Sequence, residues 1–142
     1  MRFSFVILHY KDLTSTIKCI DSIILNTTTA DIHITVVDNN SSNSSYEQLI
    51  SHYANNNQIT FIHNSTNEGF SRGNNIGCVN EINFFNPDFL CVFNNDIYID
   101  DTRFFSQIVK KYQETNFHIL GPSIWNTKRK YNQNPYMLDM NH

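Results

Sequence analysis

Short apolar runs alternate with helical stripes along nearly the whole chain, and no other feature constrains its fold more. Residues 3–8, FSFVIL, are nearly all apolar, the pattern of a strand buried on both faces. Leu13, Ile17, Ile20 and Ile24 then recur at helical spacing and end near Asn26. IHITVVDN (32–39) reads as a second buried strand. Ser44 and Glu47 stand where a capping box opens a second helix, YEQLISHYA. QITFIHN is a third strand, GFSRGNNIGCVNEINFF a glycine-containing helix, and FLCVF a fourth strand buried like the others. Phe104, Phe105, Ile108, Val109 and Tyr112 mark a helix that Asp100 or Asp101 is placed to cap, and HILGPSIW (118–125) reads as one more strand. This order predicts an α/β fold: a mostly parallel sheet with helices on both faces, in a single domain.

The totals narrow the function. A formal charge of −3 and a pI near 6.0 argue against a nucleic-acid surface, and Lys128-Arg129-Lys130 reads as a solvated loop. No stretch approaches a membrane span, and MRFSFVILHY lacks the cleavage site of a signal peptide, so the chain reads as cytoplasmic. Cys19, Cys78 and Cys91 have apolar neighbours and no zinc spacing, which suits reduced thiols.

Three polar clusters fall at the carboxyl ends of strands, where open parallel sheets bind ligands. The first is Asp38 with Asn39 and Asn40. Asp38 either closes an Asx turn or accepts a hydrogen bond from a nucleobase or ribose. The second is NEGFSRGNNIG, in which Gly69, Gly73 and Gly77 are spaced by four. Glycine inside a helix costs up to about 1 kcal/mol, so this face must lie close to another backbone or a ligand. A helix beginning near Phe70 would point N–H groups at an anion, and Arg72 either adds to that field or pairs with a carboxylate. The third cluster is Asn94-Asn95-Asp96. Its carboxylate and amide oxygens suit Mg²⁺ or Mn²⁺ shared with substrate phosphates.

The order of VILHYKDLTSTIKCIDSI, VVDNNSSNSS, NEGFSRGNNIG and FNNDIYI resembles the N-terminal half of family 2 glycosyltransferases with the Rossmann-like GT-A fold, above all their rhamnosyltransferase-like branch, across residues 3–126. The resemblance implies a UDP- or dTDP-linked sugar donor and a saccharide or lipid-linked acceptor, through which the chain would meet a membrane. Asp38 matches the acid that contacts the nucleobase, and the backbone around His9 and Tyr10 the loop beneath the nucleotide. Gly69, Arg72, Gly73 and Asn74 match the lining of the donor site. Asn94, Asn95 and Asp96 occupy the place of the Asp-X-Asp motif, with Asp96 as the residue at the metal, Mg²⁺ or Mn²⁺. Asn94 departs from the pattern, which often has an acid there.

Inverting transfer also needs a general base within reach of the acceptor hydroxyl. Beyond Asp96 the acids are Asp100, Asp101, Glu114 and Asp139, and none falls in the family's base motif. The chain therefore reads as a truncated donor-binding half that would not transfer sugar unaided, and whose incomplete sheet would favour self-association. One alternative is a non-catalytic sugar-nucleotide binding protein working with a partner. Another is a receiver-like Mg²⁺-binding signalling domain, which would want acids where this chain has His9, Tyr10 and Lys11.

Overall fold

A computed structural model describes residues 1–27 and 30–133. It divides into two compact units, Met1–Ser106 and Gln107–His142.

In the first unit β1 (Arg2–His9), α1 (Leu13–Asn26), β2 (Asp31–Asp38), α2 (Ser45–His52), β3 (Ile59–His63), α3 (Gly69–Phe84) and β4 (Phe89–Asn94) follow one another, and α4 (Phe104–Thr115) begins at its end. The four strands form one sheet in the order β3-β2-β1-β4, every pair parallel, as expected of an α/β chain. β1 and β2 are the inner strands, which is why both are apolar on both faces.

Register decides what each face carries. Phe3, Phe5, Ile7 and His9 lie beside Ile32, Ile34, Val36 and Asp38. On this face Phe3 and Phe5 meet Phe105 edge-on, and Phe5 meets Phe93. Ser4, Val6 and Leu8 lie beside His33, Thr35 and Val37 on the face that α3 covers. A Cβ on Gly73 would stand 2.5 Å from a Leu8 methyl, and one on Gly77 2.5 Å from a Val6 methyl. The two glycines thus let α3 lie close on the sheet.

Below them Glu81 is fully buried. Its carboxylate accepts hydrogen bonds from Ser4 Oγ (2.6 Å), Thr35 Oγ1 (2.6 Å) and His33 Nδ1 (2.8 Å). Desolvation raises its pKa, but these three hydrogen bonds and the His33 charge outweigh that and hold it below the usual carboxylate range.

Several expectations need correction. The buried face of α1 centres on Thr16, Cys19, Ile20 and Ile23, turned from the predicted stripe. Its cap is Asp12, whose carboxylate accepts from Ser15 N–H. Ser44 makes no side-chain cap for α2, because its hydroxyl accepts from Gln48 Nε2 instead. Ahead of α4 the expected cap is met by Asp101, one of the two acids offered, which accepts from Arg103 N–H and grips the Arg103 guanidinium. β4 is not buried on both faces. It is an edge strand, paired on one side alone, and Leu90 is 37% and Val92 48% exposed.

In the second unit, residues 118–124 form no strand. Pro122 has no N–H to give a ladder, and among the described residues of this unit extended pairing is confined to an antiparallel hairpin of β5 (Trp125–Asn126) and β6 (Tyr131–Asn132). Lys130 closes its turn with φ +53° and an N–H bond to Asn126 O. Among the described residues no helix is long and apolar enough to cross a membrane.

Candidate donor-binding site

The strand order reverses between β1 and β4, and open α/β sheets bind ligands outside the carboxyl ends at such a point. His9, Asp38, His63 and Asn94 end the four strands there. A run of polar contacts joins the first three and reaches Asn95 through Thr16.

The Asp38 side chain is fully buried at the end of β2. Oδ2 accepts from His63 Nδ1 at 2.8 Å and from Ser41 N–H at 3.1 Å, while Oδ1 stands 3.9 Å from His9 Nε2. Both readings of Asp38 from sequence meet here: it closes a turn onto Ser41, and it faces the strand-end cluster. His9 is fully buried too, and burial pushes its pKa down against the opposing pull of Asp38 and Asp12. Thr16 Oγ1 gives its proton to Asp12 O, so it accepts from His9 Nδ1–H at 2.8 Å; His9 Nε2 lies 2.8 Å from Ser45 Oγ, whose own proton goes to Asn43 Oδ1 at 2.6 Å. Thr16 Oγ1 also accepts from Asn95 Nδ2 at 3.1 Å. The side chain of Asn95 is thereby turned inward, where it holds the 94–97 turn against α1.

Asn94 and Asp96 remain exposed on that turn. Among the described residues Asp96 makes no hydrogen bond or ion pair, and no three metal-ligating side chains gather anywhere. One unpaired carboxylate beside an amide does not make a protein cage for a cation. It does fit a Mg²⁺ or Mn²⁺ that takes its other ligands from water and phosphate.

Asn39 ties β2 to the loop before α3. Its Nδ2 donates to Asn67 Oδ1 (2.9 Å) and Gly69 O (3.3 Å); its Oδ1 accepts from Glu68 N–H (2.9 Å) and Asn64 Nδ2 (3.3 Å). Gly69 has φ +72°, a backbone region that favours glycine, so its place at the mouth of α3 is conformational. Gly73 faces Leu8 and serves packing, not the approach of a ligand. Arg72 is exposed and pairs with Glu68 at 3.1 Å. Tyr10 is drawn to Lys11, whose ammonium lies 4.7 Å from the ring centre; hydrogen bonding to Lys11, its charge and a further bond to Asn67 lower the phenol pKa. Asn74 is buried, donates to Phe70 O, and leaves its Oδ1 without a partner among the described residues. That orphan acceptor would suit a hydroxyl donor or a water.

The sequence singled out Asp38, with Asn39 beside it, but not His63 or Thr16. His63 ends the third apolar run, and only the sheet order shows that it pairs with Asp38 in register. The three cysteines are free; burial pushes the thiols of Cys19 and Cys91 up to about 12, so neither is a nucleophile.

Comparisons with known proteins agree with this architecture. Residues 4–141 match the model of glycosyl transferase family 2. Among solved structures, S. aureus TarS 1-349 is similar, with 16% identity over 89% of this chain and a TM-score of 0.65. Its complexes with UDP-GlcNAc and with UDP each give a TM-score of 0.67 at 16% identity over 89% of this chain. This chain covers 40%, 38% and 40% of those three chains, well under half, and at that identity the likeness speaks for the fold. No curated protein matches it in sequence. The fold is the GT-A-like one expected, and with residues 4–141 inside the family model the chain belongs to glycosyl transferase family 2.

Proposed function

We propose that the chain is the donor-binding part of an inverting glycosyltransferase that takes a UDP- or dTDP-linked sugar together with Mg²⁺ or Mn²⁺. The observation that carries this reading is Asp96, an exposed, unpaired carboxylate at the strand-order reversal of a family 2 sheet. In this reading the nucleobase lies toward Asp38 and His63, and the sugar toward Tyr10 and the mouth of α3. Asp96, with Asn94 beside it, holds the cation against the diphosphate. That cation would neutralise charge on the departing nucleoside diphosphate.

A base for the acceptor hydroxyl is not among the candidates beyond Asp96 that the structure describes. Asp101 is engaged by Arg103, Glu114 lies within 4.0 Å of Lys110 and Lys111, and Asp100 lies outside the polar run of the cleft. We therefore place the base elsewhere in the working enzyme, whose product the family resemblance suggests is a cell-surface polysaccharide. The engaged acids equally favour a second reading, a sugar-nucleotide binding partner of a separate catalytic chain. A turnover assay with donor and acceptor separates the two.

Calorimetric titration with UDP and dTDP, each with and without Mn²⁺, tests the donor site. Asp96→Ala is expected to keep the fold and lose metal-dependent binding; binding that is unchanged in this variant rules out Asp96 as the metal residue. The exposed Leu90 and Val92 of the edge strand β4 are where we place self-association. Sedimentation velocity should show concentration-dependent dimers that Leu90→Glu with Val92→Glu removes.

A further inference from the structure

We infer that His63 is the residue that reads the nucleobase, and that the buried Asp38 acts through it by fixing the imidazole tautomer. The inference rests on the donor-site reading above and deepens it. An acid that contacts a base must present an oxygen, yet Asp38 is fully buried and already accepts from His63 Nδ1 and Ser41 N–H. His63 stands between that carboxylate and solvent, with its side chain 45% exposed. Because Asp38 accepts from Nδ1, the ring proton resides on Nδ1, and in the neutral ring Nε2 carries the lone pair. Among the described residues nothing hydrogen-bonds to Nε2. The Tyr46 ring lies 5.1 Å away at a tilt of 35° and limits how the imidazole can turn.

Nε2 is therefore a fixed acceptor at the carboxyl end of β3. The imide N3–H of uracil or thymine is the donor it fits. Cytosine places a lone pair at N3, so two acceptors would face each other. A site built around one hydrogen bond rejects the analogue that lacks it far more strongly than a site selecting by shape. The class of ligand is thus a uridine or thymidine diphosphate, with cytidine diphosphate excluded by chemistry and not by size.

The test is titration of the 142-residue chain, with Mn²⁺, against UDP, CDP and the N3-methyl derivative of UDP. The expected result is that UDP binds about tenfold or more tighter than the other two. His63→Phe and His63→Ala should bring all three to similar affinity, and Asp38→Asn should narrow the gap while leaving His63 in place. Because removing His63 leaves Asp38 without its partner, imidazole ¹⁵N NMR of the unaltered protein supplies a readout that needs no variant. It should show the Nδ1–H tautomer, and an Nε2 signal that moves on adding UDP but not N3-methyl UDP. A still Nε2 signal, or an unchanged UDP:CDP ratio in a folded His63 variant, overturns the role of His63 and leaves the donor site standing. Failure of every nucleotide to bind overturns both.

Discussion

Glu81→Ala is expected to lower the unfolding free energy by about 3 kcal/mol or more, read as a shift in the urea midpoint at constant slope. The size follows from what the substitution strands. Ser4, Thr35 and His33 each point a donor at this one carboxylate, in a space closed by α3 and the sheet. Removing the acceptor leaves the hydroxyls of two inner strands without their partner, and a void where the side chain stood. Glu81→Gln should lose less, since it keeps one acceptor oxygen and the volume, but its amide N–H₂ then faces donors. The acid side of the stability profile carries a second signature. Folding depresses the Glu81 pKa, so the folded state binds fewer protons than the unfolded chain just below the ordinary carboxylate value of about 4.3. Its contribution is complete above that value and is lost as pH falls through the lowered folded one. In Glu81→Ala this part of the acid slope should vanish; an unchanged slope would show that the carboxylate is not held in this way.

Gly77→Ala is expected to cost about 2 kcal/mol, while Gly73→Ala stays near neutral. Both substitutions gain roughly 1 kcal/mol of helix propensity, so the sheet beneath decides the difference. At Gly77 the new methyl meets Val6 at 2.5 Å and Val37 at 3.0 Å, two fully buried β-branched side chains with little rotamer freedom. Neither can swing aside, so α3 must lift, and Glu81 one turn further on is drawn from Ser4 and Thr35. At Gly73 the obstruction is the end of Leu8, which can rotate. Thermal unfolding of the two variants should therefore differ in sign or nearly so. Equal losses would mean that the whole helix face, not the Val6–Val37 contact, sets the spacing.

The strand and helix order was legible because β1 and β2 are inner strands whose apolar runs have no other reading. β4 misled for the converse reason: its sequence is as apolar as theirs, yet burial depends on where a strand lies in the sheet, and β4 is an edge strand whose Leu90 and Val92 stay exposed. The glycine spacing correctly demanded a close approach on α3 but could not say that side chains of the sheet, not a ligand, make it. The strand-end clusters stood out as polar interruptions of apolar runs, which is why Asp38 and Asp96 could be picked. Their partners could not. His63 and Thr16 enter the cleft only through strand register and the packing of α1, and neither residue type is unusual where it occurs.

Asn39 has a consequence of another kind. Its amide makes two donor and two acceptor contacts, so the loop leading into α3 is held to the end of β2 by one side chain with no bonding capacity left. An aspartate, one heavy atom different, would lose both donations. The loop is thus set in place by folding itself, before any ligand arrives. A nucleotide entering the cleft then loses little affinity to ordering the walls, and its binding strength reflects contact chemistry more than induced shape.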